Sequence, residues 1–291
     1  MSPLLVLITF FTLVAFAANS LLCRMALGAE LIDPASFTLL RLAGGALVLT
    51  VLVFRPGAER PGLERPSPGS SSSGSGSWGS GLALFTYAAA FSWAYLSLTT
   101  GTGALILFGA VQVTMIGAAL KAGERLGLGQ WGGFVVAISG FVYLVLPGLE
   151  APDPLGAALM SLSGLAWGIY SLRGKGATRP VLMTAMNFQR AAALSLLLVP
   201  AVLLWGHHLT TRGVLLALTS GTVTSGLGYV LWYRALAHLS TTAASVLQLL
   251  VPVLAAVAGV LFLAEPVSLR LVLASVAILG GVGVVIGGRR R

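Results

Sequence analysis

Long apolar stretches of about 20 residues run along the chain, separated by short clusters of charge, proline and glycine. They are continuous rather than alternating, so their period is not that of a half-exposed strand. This disfavours an outer-membrane barrel. In lipid a spanning segment must satisfy its own backbone, which makes each of these runs a helix. The pattern predicts ten: 3–22, 34–54, 81–98, 102–121, 130–147, 154–172, 181–204, 213–235, 241–263 and 268–287. His238 to Ser240 nearly joins the eighth and ninth, so that pair is expected to be a tight antiparallel hairpin. Residues 55–80 differ in kind. Eighteen of these 26 are Gly, Ser or Pro, the composition of a flexible linker, and Trp78 is expected at the interface where the third helix begins.

Composition agrees with the pattern. Charged residues are 9% of the 291, against about 25% in an ordinary soluble chain. So few charges cannot dress a soluble surface. This excludes a soluble enzyme, a disordered chain and a disulfide-stapled secreted domain. The single cysteine, Cys23, has no internal partner and reads as a packing residue. No Lys or Arg precedes Arg24, so the first apolar run lacks a signal peptide's basic start and reads as a retained helix.

The net charge of +9 would suggest nucleic acid in a soluble protein. Here the positive residues sort by side of the membrane. Arg55, Arg60, Arg65, Lys121, Arg125, Arg173, Lys175, Arg179, Arg234, Arg289, Arg290 and Arg291 fall on one side, and Arg24, Arg212 and Arg270 on the other. By the positive-inside rule both termini are cytoplasmic. Only Arg41 and Arg190 lie within spans.

The two halves match. A shift of 141 pairs Ala94 with Ala235, Thr100 with Thr241, Glu124 with Glu265 and Gly140 with Gly281. A shift of 149 pairs Arg24 with Arg173 and Arg41 with Arg190. The eight-residue difference fits the longer linker of the first half. Five helices per repeat is an odd number, so the second copy enters the membrane upside down. The expected fold is an all-α polytopic membrane protein, ten transmembrane helices in two inverted five-helix repeats, 1–147 and 148–291. Inverted repeats characterise alternating-access carriers, with the site near the midplane.

Pro34 and Arg41 in the second helix, KAGERLGLGQWGG after the fourth, and LLVPVLAAVAGVLFLAEPVSL across the ninth and tenth resemble the EamA-type domain. That is the ten-helix branch of the drug/metabolite transporter superfamily. Within it the general pattern is similar to bacterial amino-acid exporters of the YddG type. The resemblance covers the chain apart from 55–80 and implies a 5+5 inverted fold, both termini inside, and export of small metabolites. One departure is Val111, which stands where the second half has Pro252. Unequal motion of the two halves is the consequence to expect if repeat symmetry governs gating.

Candidate chemistry follows from polar residues inside apolar spans. No acidic residue lies deep in one, which argues against carboxylate-coupled proton antiport and against cationic substrates. Glu124 and Glu265 are expected to cap the fifth and tenth helices, where carboxylates suit helix N-termini. Arg41 and Arg190 are costly within a span, by roughly 2.5–3.5 kcal/mol at its centre, unless they snorkel. They either bond helix carbonyls or contact an anion, and as mirror mates they are expected at opposite depths.

Asn19, Gln112, Asn187 and Gln248 lie near mid-span, and amides can bind both ends of a zwitterion or simply join helices. Pro252 cannot donate to the carbonyl of Gln248, so a kink is expected beside Gln248 and Ser245, with Gly109 at the corresponding depth of the fourth helix. Phe91, Trp167 and Trp232 have polar neighbours on their faces, as Ser225 does for Trp232. These stripes serve as packing or as cavity wall. GxxxG pairs at Gly164/Gly168 and Gly283/Gly287 permit close helix approach, within the chain or across a dimer; a monomer is the expectation.

The predicted function is a transporter exporting small neutral or zwitterionic metabolites, with hydrophobic or aromatic amino acids as the best fit, in a bacterial inner membrane. A sugar-phosphate or nucleotide-sugar carrier ranks second, since it needs several converging basic groups. A channel would want a ring of charges. An intramembrane enzyme lacks HExxH, GxSxG or an acidic pair, and no metal, cofactor or nucleic-acid partner is expected.

Overall fold

The computed structural model describes residues 3–54, 76–121, 123, 127–146, 148, 151–174, 177, 179–205, 208–236 and 247–287. The described residues form helices joined by short connections, with one isolated bridge pairing Ile32 and Leu209. The helices are α1 (Pro3–Leu27), α2 (Pro34–Phe54), α3 (Trp78–Ala94), α4 (Thr100–Lys121), α5 (Leu128–Val145) and α6 (Pro154–Gly174). Next, α7 (Pro180–Ser195) continues through a 3-10 turn, Leu196–Leu198, into Val199–Trp205. Then α8 runs as Thr211–Thr219, a π-helical stretch Ser220–Leu227, and Gly228–Leu236. Last come α9 (Leu250–Leu263) and α10 (Leu269–Gly287).

Four of these helices open on proline, where the missing N–H has no helical partner to lose. Seven spans are long and apolar enough to cross a bilayer, with shorter apolar helices at Leu250–Leu263 and Leu269–Val285. Large apolar side chains such as Phe10, Leu47, Leu204, Phe262 and Val276 point outward. A soluble monomer rarely carries such a belt; lipid covers it here. The molecule is an all-α, multi-pass membrane protein.

The packing is regular. α5 lies on α10, α2 on α7 and α4 on α9. α6 packs on α3 and α4, while α1 packs on α8 and α9; α2 meets α8 and α3 meets α7. Exchanging each helix with the one five places on returns these same pairs, as a duplicated fold would. Small residues bring the axes close. A Cβ on Gly133 would lie 2.6 Å from the carbonyl oxygen of Gly281, and one on Gly164 2.5 Å from that of Leu107. The pair Gly164/Gly168 therefore seats α6 on α4. Among the described residues, nothing lies within 4 Å of a Cβ placed on Gly283 or Gly287.

One end of the bundle is tied by polar contacts. Arg24 at the end of α1 donates to the carbonyls of Tyr95 and Leu96, both at 2.9 Å, capping α3. It also pairs with Glu265 at 3.4 Å. Glu265 in turn accepts from the backbone N–H of Thr100 at 2.8 Å. This corrects the expectation for Glu265: its carboxylate caps α4, and Ser268 caps α10 by accepting from Leu271 N–H. The turn after α9 folds Glu265 back, its N–H donating to Gly259 O, and so aims the side chain across to α4. At the same end Ser97 donates to Asp153 at 3.0 Å, and Thr210 donates to the carbonyl of Leu31 at 2.7 Å. Glu124 lies outside the described residues.

Candidate functional site

Inside the bundle, one polar network joins the two halves. On α1, the Asn19 carbonyl oxygen accepts from Ser220 Oγ at 2.6 Å and from Thr224 Oγ1 at 3.2 Å, both on α8. Its amide nitrogen donates to the Tyr87 hydroxyl on α3 at 3.2 Å. The same hydroxyl accepts from Arg41 Nη2 at 2.8 Å. Arg41, on α2, also donates from Nε to Ser225 Oγ at 3.4 Å. All of these residues are buried. Backbone geometry puts the α8 hydroxyls there. The wider π turn, built from SGTVTSGL, brings Ser220, Thr224 and Ser225 toward α1 and α2. Such turns concentrate at functional sites. Gly221 is required at the crossing, since a Cβ would overlap the Arg41 carbonyl.

Aromatic rings surround the network. Trp167 on α6 lies 4.9 Å from Tyr87 and 5.1 Å from Tyr229, centre to centre. Phe16 meets Trp167, Tyr229 and Trp232 edge-on at about 6 Å, an arrangement favoured by the ring quadrupoles. Phe91 stacks beside Tyr87. Between them is a cavity of about 20 Å³, lined by Phe16, Asn19, Tyr87, Phe91, Trp167, Thr224 and Tyr229 among others. That is room for about one water. In this conformation the rings are closed on each other, and a larger guest enters only if the helices part.

The geometry is a small, aromatic-walled polar centre between two helix sets, inside a lipid-facing bundle. The EamA-like transporter family matches residues 154–287. An uncharacterized protein of Pseudomonas aeruginosa is 48% identical over 290 residues, covering 97% of this chain and 94% of its own. A probable terminal-alkyne amino-acid exporter of Streptantibioticus cattleyicolor is 29% identical over 204 residues, 67% of each chain. An uncharacterized transporter of Archaeoglobus fulgidus is 28% identical over 194 residues, covering 65% of this chain and 68% of its own. The chain belongs to the EamA-like transporter family. A solved crystal structure with 21% identity superposes at a TM-score of 0.66 over 100% of both chains, which shows the fold is shared.

In this EamA-type transporter the sequence-predicted site residues divide. Asn19, Phe91 and Trp167 line the cavity. Ser225 joins its polar network, and Trp232 meets Phe16 edge-on behind it. Gln112 and Gly109 face elsewhere, into an apolar crevice among α4, α5 and α10 with Phe134, Phe141 and Ile278. Asn187 is also away from the centre. It accepts from Ser77 N–H at 3.0 Å and fastens the first turn of α3 to α7.

Gln248 is half-buried, just before the helix breaks at Leu249. The break falls three residues before Pro252 and answers the missing proline N–H. Ser245 lies outside the described residues. The two arginines differ from each other. Arg41 is 1% exposed and does not snorkel. Arg190 is half-buried, donates to Met186 O of its own helix and lies over Trp78.

In the sequence Tyr87 and Tyr229 stand four and three residues before Phe91 and Trp232, on the same helix faces, whereas Phe16 belongs to no such pattern. Four hydroxyls and two glycines within 220–226 interrupt an otherwise apolar span, and that is the signal that could have found the α8 residues.

Proposed function

We propose that this transporter exports small neutral or zwitterionic metabolites, with hydrophobic or aromatic amino acids as its substrates. The observation that carries this reading is the aromatic wall of Phe16, Tyr87, Phe91, Trp167 and Tyr229 around an uncharged amide and its hydroxyl partners. Apolar walls with a few oriented polar groups suit a ligand of mixed character. The amide offers an acceptor and a donor, one for each end of a zwitterion. The amino-acid exporter among the relatives supports the same substrate class. A sugar-phosphate or nucleotide-sugar carrier needs converging cations, whereas Arg41 is the sole cation in the described network.

The halves 1–147 and 148–291 rock about the centre, which passes from one face of the membrane to the other. The protein sits in a bacterial inner membrane as a monomer, with both termini cytoplasmic. The end held by Arg24, Glu265, Thr100, Ser97 and Asp153 is then the outer one. The test is uptake of labelled amino acids into proteoliposomes, with and without a pH gradient. Saturable flux of phenylalanine, tryptophan or leucine, indifferent to the gradient, is expected. Flux of phosphorylated sugars with none of amino acids would refute the reading.

A further inference from the structure

Arg41 is a buried cation whose acceptors are all neutral. Its Nη2 donates to a tyrosine hydroxyl and its Nε to a serine hydroxyl. Its Nη1 is buried with no acceptor among the described residues. The guanidinium carbon lies 5.0 Å from the ring centre of Tyr87 and 4.9 Å from that of Phe91, two walls of the cavity. Among the described residues the carboxylates are Glu30, Asp33, Asp153 and Glu265, and all stand at helix ends or in connections. The one ion pair found there is Arg24 with Glu265.

A guanidinium does not lose its proton in a protein, so the charge persists. Ring faces and hydroxyls offset part of its burial. They do not neutralise it, and a buried charge without its counter-ion is strongly unfavourable. The duplication does not require this burial, because the mate Arg190 is half-buried and bonded to its own helix.

We propose that Arg41 is the anchor for a carboxylate carried by the transported molecule. The proposal rests on the amino-acid reading above and sharpens it: the α-carboxylate is the required group, and amines lacking it are excluded. The two oxygens of a carboxylate match the fork of Nη1 and Nη2. In the closed state the Tyr87 hydroxyl serves as a neutral stand-in on Nη2. When the helices part, a charged acceptor displaces it and also meets Nη1. The aromatic rings then receive the side chain, and Asn19 Oδ1 with the hydroxyls of Ser220 and Thr224 is left for the ammonium.

The test uses the purified full chain in detergent, with ligand-induced thermal shift and competition against labelled phenylalanine as readouts. The probes are phenylalanine, 3-phenylpropionate, phenylalaninamide and phenethylamine. Phenylalanine and 3-phenylpropionate are expected to bind about 10-fold to 100-fold more tightly than the two probes without a carboxylate. Arg41→Gln should abolish that preference, and Tyr87→Phe, which leaves the guanidinium in place, should keep it.

Equal binding of phenylalanine and phenylalaninamide by the unaltered protein would overturn the anchor while leaving amino-acid transport intact. So would an unchanged preference in Arg41→Gln. Binding of 3-phenylpropionate without phenylalanine would uphold the anchor and remove the amino-acid reading. No binding of any probe would overturn both. Should Arg41→Gln fail to fold, the probe series on the unaltered protein decides alone.

Discussion

At the residue scale, Asn19 is the hub of the centre because it holds α8 on one side and Tyr87 on the other. Asn19→Leu removes both functions and leaves the Ser220 hydroxyl without its Asn19 acceptor. Such an orphan costs about 1–3 kcal/mol. The variant is expected to melt several degrees lower and to transport at a tenth of the normal rate or less. Gln112→Leu should instead leave the substrate KM unchanged, since the side chain faces the α4–α5–α10 crevice. Its buried amide nitrogen has no acceptor among the described residues, so its loss is expected to be neutral or stabilising by melting temperature.

The contrast shows what a sequence can and cannot tell. Hydropathy gives the depth of a polar residue. Its direction around the helix axis depends on neighbours that the sequence does not place. Asn19, Gln112 and Asn187 all read as mid-span amides, and packing sends each to a different place: the polar centre, the α4–α5–α10 crevice and the start of α3.

At the scale of elements, boundaries were legible where covalent chemistry fixes them. α2 runs Pro34–Phe54 as its pattern predicts, from a proline to the last residue before Arg55. α3 begins three residues earlier than hydropathy suggests, because Ser77 caps it by accepting from Ser80 N–H at 3.1 Å. The cap on α4 was illegible, since Glu265 is 165 residues away in the chain. Glu265→Gln keeps an acceptor but loses the ion pair with Arg24. The expected loss is about 1 kcal/mol, because both side chains retain some solvent contact, and it is to be read as a lowered melting temperature.

The residue before Glu265 holds a second reserve. Ala264 caps α9 in the left-handed region at φ 52°, where a Cβ costs about 1–2 kcal/mol. Glycine would forfeit about 0.5–1 kcal/mol in chain entropy. The balance favours Ala264→Gly, which should raise the melting temperature. A lowered one would contradict this account of the turn. The π turn in α8 makes a third prediction. Deleting Val223 should restore regular winding, withdraw the α8 hydroxyls from α1 and α2, and abolish transport while the protein remains monodisperse.

At the scale of the whole molecule, the self-similar spacing of arginines and glutamates already indicated a duplicated fold, and the helix pairs fall in the arrangement it implies. What the repeat could not reveal is how far the two copies have diverged in depth and partners. Rocking of the halves has a direct test at the tied end. Ser97, between α3 and α4, lies against Asp153, just before α6. Cysteines at both positions should form a disulfide under oxidant that arrests transport, and reductant should restore it. Cys23 is buried and gives little background. Unimpeded flux in the cross-linked protein would exclude relative motion of these segments.

The burial of Arg41 without an equivalent at Arg190 gives the carrier a polarity. A perfectly symmetric exchanger would present the same dissociation constant to both compartments. With Arg41 as the proposed anchor, an inward-open and an outward-open form would offer that charge to solvent through unlike passages. Without an energy source, detailed balance still requires kcat/KM to be equal in the two directions. The asymmetry can therefore appear only as KM and kcat changing together, the direction with the lower KM having a kcat lower by the same factor.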